Sequence, residues 1–333
     1  THVIGSVYFN RFQLLTTQDG LASLQAGNGV AASPAGGVDA EARAHHAARR
    51  FRSAARGFRA ASEAARKGKA PREEEGALQR ALLCQALLGE PVEMLDSLQR
   101  LLALQRARGD SLAIARTEAD LGCVYGMVAN YARALDHLGA AAEAFGRLGL
   151  KRRMALTRAG MGLVYLRRAE YGTALDALEQ ASALLETTRD RKRTSYVQGL
   201  LGNVHESVGE LDRAEELYNR ALVLHGEEQS VDVGDVLGNL GNVCVALGRN
   251  EDALRSYAQA QAIFEALQDH AGAANALFST GRVKKLQGGY ATALALFRAA
   301  LELQESDSPG AARTLGAMAE TYLAMGRTDD ALD

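Results

Sequence analysis

The chain has 333 residues, a net charge of −2, 47% hydrophobic residues and no tryptophan. That is enough apolar material for a substantial core and too little net charge to imply a polyanionic partner or a membrane surface. Three cysteines without CxxC spacing, Cys84, Cys123 and Cys244, argue against a disulfide framework and a zinc site and set a reducing, intracellular, cytoplasmic compartment as the expectation.

Residues 1–38 open with "HVIGSVYFNRFQLL", β-branched and aromatic enough for a strand, and continue into "LQAGNGVAASPAGG", a Gly/Ala/Ser linker with a proline. They are expected to be a non-repeat segment, either a piece of another domain or a segment packed on the rest of the chain. The opening has neither the basic region nor the small-residue cleavage site of a secretory signal. No apolar run approaches the roughly 18 residues needed to cross a bilayer. The first residue is Thr1 and the last stretch reads "TDDALD", so the chain is read as part of a longer protein.

Residues 39–71 come next as a basic helix, a cap or a degenerate repeat. From Asp39 to Lys69 nine Lys and Arg face three acidic residues, a local charge of +6. Such a helix suits an acidic partner, RNA or anionic lipid, or it is a cap with one wet face. His45 and His46 are adjacent and point to different helix faces, which is poor metal geometry.

From residue 72 to 333 the chain repeats itself. A small anchor recurs at Gly122, Gly162, Gly202, Gly241, Gly281 and Ala319, at spacings of 40, 40, 39, 40 and 38. Twelve residues after each anchor stands an alanine: Ala134, Ala174, Ala214, Ala253, Ala293 and Ala331. A bulky residue follows four later (Leu138, Leu178, Tyr218, Tyr257, Phe297), then a second alanine (Ala141, Ala181, Ala221, Ala260, Ala300). Those offsets line one face of a helix. Gly209, Gly248, Gly288 and Gly326, seven after the anchor, are placed to reverse the chain between two helices. Met94, Leu98 and Leu101, with Gly89 at the turn, carry a weaker copy over 72–111. Ala54, Phe58 and Ala61 fit a second helix one period earlier, with Arg49 in place of the turn glycine. A period of this size predicts a solenoid whose units bury one another's apolar faces. The fold class expected is all-α, an array of antiparallel helix pairs with its last repeat incomplete.

"LGCVYGMVANYARALDHLGAAA", "LLGNVHESVGELDRAEELYNRAL" and "TGRVKKLQGGYATALALFRAAL" resemble the tetratricopeptide repeat (TPR), which has Leu-Gly, Tyr, a turn, then Ala, Phe and Ala at these offsets. The early Trp of the common pattern is absent and the period is about 40 instead of 34. In this the repeats are similar to the longer "LGN" repeats of Pins/LGN adaptors and kinesin light chains. The resemblance implies a right-handed superhelix with a concave groove lined by first helices and occupied by partner peptides. It implies no catalysis and no cofactor.

The residue after each anchor falls in that implied groove: Cys123, Leu163, Asn203, Asn242, Arg282 and Glu320. An asparagine amide donates and accepts at once, so it can hold a peptide backbone without reading its side chains. Asn203 and Asn242 are expected as a short ladder, with Asn239 one turn before; alternatively they bond neighbouring helix carbonyls inside the array. Tyr196, Glu206, Phe278, Lys285 and Arg313 complete the candidate set. No Lys-Asn clamp for a terminal carboxylate is assembled at Arg116, Leu156, Tyr196 and Asp235, which disfavours a chaperone co-factor. Lys151-Arg152-Arg153 and Arg191-Lys192-Arg193 are 40 apart and are expected in equivalent loops. They form a basic patch for an acidic peptide, a phosphate or a nucleic-acid backbone, or they are simply solvated.

Catalytic motifs are missing: there is no G-x-x-x-x-G-K-[ST], H-E-x-x-H or G-x-S-x-G. His205 and Cys244 share one repeat position, occupied elsewhere by Tyr125, Tyr165 and Tyr322, and are read as packing residues. The expectation is a protein-protein interaction scaffold within a larger assembly, without metal, cofactor or nucleic acid. A cytoskeletal, ciliary or signalling setting follows from family habit alone. The alternative is the regulatory array of an enzyme whose catalytic domain lies elsewhere.

Overall fold

The computed structural model describes residues 38–226, 228–306 and 308–327, with side chains from residue 49 onward. The expected strand and linker before residue 38, and Ala331, lie outside the described residues. Fourteen helices occupy that range, with no strand among the described residues. The chain divides into two compact units, Thr1–Thr188 and Arg189–Asp333.

The first unit holds α1 (Val38–Lys67), α2 (Pro71–Leu88), α3 (Pro91–Arg108), α4 (Ser111–Met127), α5 (Tyr131–Arg147), α6 (Lys151–Arg167) and α7 (Tyr171–Thr188). The second holds α8 (Arg191–Val208), α9 (Leu211–His225), α10 (Val231–Ala246), α11 (Asn250–Ala266), α12 (His270–Leu286), α13 (Tyr290–Glu302) and α14 (Pro309–Ala324). Within each unit every helix packs on the next in sequence, and alternate first helices also touch: α4 with α6, then α8 with α10, α10 with α12 and α12 with α14. This is an α-solenoid of helical hairpins.

Local chemistry fixes the boundaries. Pro71, Pro91 and Pro309 each open a helix, where the missing N–H costs nothing. Asp110, Asn130, Asp190, Ser230, Asp269 and Ser308 accept a backbone N–H three residues on, the N-cap bond. Each hairpin turn passes through one left-handed residue. Gly209 takes it at φ 85°, whereas Ala129 and Ala169 take the same turn at 59° and 58°, each accepting a steric cost that glycine avoids. The first helix among the described residues, α1, runs through Arg49 without a turn.

The anchor glycines explain the period. A Cβ on Gly122 would stand 2.5 Å from Leu138 Cγ, one on Gly162 2.6 Å from Leu178 Cγ, and one on Gly202 2.5 Å from Tyr218 Cε1. Gly241 meets Tyr257, and Gly281 meets Phe297, in the same way. The bulky residue of the second helix therefore occupies the volume a first-helix side chain would fill, which is the close approach that fixes the hairpin. Leu138, Leu178, Tyr218 and Phe297, with their flanking alanines, are fully buried.

Candidate functional site

The second unit brings most of the candidate residues together along α8, α10, α12 and α14. Asn203 sits beside its anchor with 2% of its surface exposed. Its Oδ1 accepts from the Tyr218 hydroxyl at 2.7 Å and from Asn239 Nδ2 at 2.9 Å. Its own Nδ2 is buried and has no partner, so one donor of the amide is unused where burial makes that expensive. The Tyr218 hydroxyl also lies 2.7 Å from Glu206 Oε2. Burial pushes the Glu206 carboxyl up, against the bond from Tyr218, which pulls it down.

The neighbouring hairpin repeats the device. The Tyr257 hydroxyl donates to Asn242 Oδ1 at 2.8 Å. Burial pushes the Tyr257 phenol well up, while Arg282 and a bond with Ser279 act in the opposite sense. Further on, Arg313 donates from an NH2 group to Asn275 Oδ1 at 2.7 Å and lies over the Phe278 ring, 4.5 Å from its centroid. Phe278 is buried against Phe297. Lys285 pairs with Glu320 at 2.8 Å, and Arg282 is exposed. Tyr196, on α8, is half-buried.

Sequence spacing placed these residues on one set of helices, but the partner of Asn203 is Asn239 and not Asn242. The two tyrosines were missed as site residues. Their signal was available: Asn203 to Tyr218 and Asn242 to Tyr257 are both 15 residues apart.

The tetratricopeptide repeat model matches residues 153–224, 232–306 and 281–333, more than half of the chain. This chain belongs to the tetratricopeptide repeat family. Solved structures of similar fold agree. The apo form of the quorum sensor NprR from B. thuringiensis superposes with a TM-score of 0.63 at 14% identity, over 81% of this chain and 77% of that one. BtubC (BKLC) from P. vanneervenii gives 0.54 at 18%, over 67% and 92%. The APC/C hetero-tetramer Cut9-Hcn1 gives 0.53 at 16%, over 78% and 55%. Set against proteins of curated function, the sequence finds no significant match. TPR arrays are in general protein-interaction scaffolds, and among the described residues of this one no helix is long and apolar enough to cross a membrane.

The two basic triplets of the TPR array are not loops. Lys151–Arg153 and Arg191–Arg193 form the first turns of α6 and α8, because the connections before them are only a few residues long. Cations there oppose the helix dipole, and in α8 local partners offset this. Arg193 bonds Asp190 at 2.7 Å, Lys192 bonds Glu228 at 2.5 Å and an Arg191 NH2 group donates to the Val223 carbonyl at 3.3 Å. The triplets belong to different compact units.

In the first unit the buried charge is structural. Glu118 bonds Arg106 and His137, both at 2.6 Å; burial works against its ionisation, but these bonds prevail and hold it below the usual carboxylate range. His137 stacks on Tyr125 with centroids 5.3 Å apart. No cluster of three metal-ligating side chains occurs among the described residues. All three cysteines are free and buried, and burial pushes each thiol up, the opposite of what a nucleophile needs. His205, at the position equivalent to Cys244, bonds Glu210 at 2.6 Å.

Proposed function

We propose that this TPR array is a non-catalytic adaptor that holds a segment of a partner protein against the first-helix face of its second unit. The observation that carries the reading is the pair of successive first-helix amides, Asn203 and Asn242, each fixed through its Oδ1 by a second-helix tyrosine hydroxyl. An amide whose Oδ1 is held in this way has its Nδ2 left to donate to a peptide carbonyl, and backbone recognition by side-chain amides needs no particular ligand sequence. Asn242, half-buried with its Oδ1 held by Tyr257, supplies the next such amide. Tyr196 and Glu206 on α8, Phe278, Arg282 and Lys285 on α12 and Arg313 on α14 are the further side chains to which we assign the face's local specificity.

The fold neighbours support an interaction role in general: one is named a quorum sensor and another a hetero-tetramer. Membership of a larger intracellular assembly, cytoskeletal, ciliary or signalling, is the setting we propose from family habit. The array as the regulatory part of a longer enzyme is the alternative.

The test is an affinity capture with mass spectrometry, comparing wild type with Asn242→Ala and with Asn203→Ala/Asn242→Ala, each checked by thermal melting for an intact fold. The expected result is specific partners lost from both variants, most strongly from the double. Equal recovery by well-folded variants would remove the groove reading.

A further inference from the structure

The first-helix face of the second unit is uneven in charge. At the α8 and α10 end the groups are amides, phenols, a Glu206 carboxyl whose ionisation burial opposes, and the half-buried Asp235 of α10. Toward α12 and α14 two guanidinium groups, Arg282 and Arg313, make no direct ion pair among the described residues. Arg282, directly after the anchor Gly281, is exposed, and among the described residues no carboxylate bonds it. Arg313 is half-buried, with one NH2 group on the neutral Asn275, its plane over Phe278, and a buried Nε without any partner.

The two cations influence one another: burial first, and Arg282 second, hold Arg313 below its ordinary value. Glu320 on α14 bonds Lys285 at 2.8 Å, and Lys285 first and Arg282 after it hold its carboxyl below the ordinary value. Three cations, Arg282, Lys285 and Arg313, share the one carboxylate of Glu320 there, so this end of the face retains a net positive field. Neither guanidinium contributes a direct ion pair to the fold there.

We infer that Arg282 and Arg313 form an anion subsite that takes an Asp or Glu side chain of the bound peptide. This rests on the groove reading proposed above and adds the ligand's chemistry to it. A carboxylate has two oxygens, one for each guanidinium, and Arg–carboxylate contacts are charge-assisted and directional. The Arg313 guanidinium is held over the Phe278 ring and by Asn275, and a fixed planar donor suits a planar monoanion. First helices α8, α10 and α12 touch in succession. At 8–10 Å between packed axes, the subsite lies roughly 20 Å from Asn203, about six residues along an extended ligand. The acidic residue is therefore expected about six positions from the segment held by the Asn203 amide.

The probe is a phage-displayed library of random peptides of about 12 residues, fused at the C-terminus so that no terminal carboxylate is present. It is selected on the full chain, and consensus peptides are then made with amidated ends for fluorescence anisotropy. Asp or Glu enriched at one position is expected. Changing that residue to its amide, or introducing Arg282→Gln or Arg313→Gln, should weaken binding roughly ten-fold. Arg282→Glu should recover affinity for a peptide carrying Lys at that position.

Binders with no acidic enrichment, or unchanged affinity in both arginine variants, overturn the subsite. So does a phosphoserine peptide that binds while its Asp and Glu counterparts do not. If Asn203→Ala/Asn242→Ala abolishes binding and the arginine variants do not, the groove reading stands and only this inference fails. If the arginine variants lose binding and the asparagine variant keeps it, the groove reading fails and the subsite stands. A library that yields no groove-dependent binder counts against both.

Discussion

The two compact units share one scaffold and differ in what they show on the first-helix face. In the first unit the residues after the anchors are Cys123 and Leu163, 2% and 1% exposed. In the second they are Asn203, Asn242, Arg282 and Glu320. The difference is coupled to the residue that fills the glycine gap from behind. Leu138 and Leu178 fill it in the first unit, and an aliphatic tip asks nothing of its surroundings. Tyr218 and Tyr257 fill it in the second, and each phenol needs a partner when buried, which the adjacent asparagine supplies. Phe297 has no hydroxyl, and Arg282 beside it is exposed. The polar residues after these two anchors thus follow from the choice of core residue one helix away.

The largest effect expected from testing this contrast is at the anchors. A Cβ at Gly241 meets three carbons of the rigid Tyr257 ring, whereas one at Gly122 meets Leu138 Cγ at 2.5 Å and Cδ2 at 2.9 Å, a branched chain that can change rotamer. Gly241→Ala is expected to cost about 3 kcal/mol and Gly122→Ala about 1–2, read from urea unfolding. Equal costs would mean that the ring and the leucine yield alike, and the distinction between the units would not reach their energetics.

A smaller effect tests the coupling itself. Leu163→Asn places an unpaired amide in a site 1% exposed and is expected to destabilise by about 2 kcal/mol. Adding Leu178→Tyr supplies the phenol that Asn203 has in the second unit. The double variant is expected to be more stable than the sum of the singles by about 1 kcal/mol. Simple additivity in this cycle would show that the Asn–Tyr pairing is a coincidence of two hairpins.

The scaffold was legible because its constraints fall at fixed offsets. Gly202 and Tyr218 must meet, so glycine and a bulky residue recur 16 apart, and the alanines follow from the same contact. The site was legible only in part. Periodicity aligns equal positions of successive units, and so it set Asn203 opposite Asn242. Packed helices also meet at unequal positions: Asn203 follows its anchor by one residue and touches Asn239, which precedes the next anchor by two. The basic triplets were misplaced in loops for a related reason. Composition alone does not reveal that Asp190 caps a helix starting at Arg191, and a cation-rich first turn runs against the helix dipole. The unpaired Nε of Arg313 depends on where Asn275 and Phe278 lie in space, and no linear spacing encodes it.

The smallest effect concerns Glu206, whose equivalents four residues after the anchor in the first unit are Gly126 and Leu166. The Tyr218 hydroxyl carries one proton and stands 2.7 Å from both Asn203 Oδ1 and Glu206 Oε2. If Tyr218 donates to Asn203, a protonated Glu206 is the donor that completes the chain. Burial holds the Glu206 carboxyl above its ordinary value of 4.5, so the folded protein binds this proton more tightly than the unfolded chain does. The resulting stability is fully present below 4.5 and is lost as pH rises through the raised value. Glu206→Gln cannot ionise and keeps a donor toward Tyr218. Its melting temperature is expected to gain on wild type progressively as pH rises from 4.5 to neutrality, with little difference in more acidic solution. A difference between the two proteins that stays constant across that range would mean that Glu206 is ionised in the fold, and that a second donor, not its own proton, serves the tyrosine.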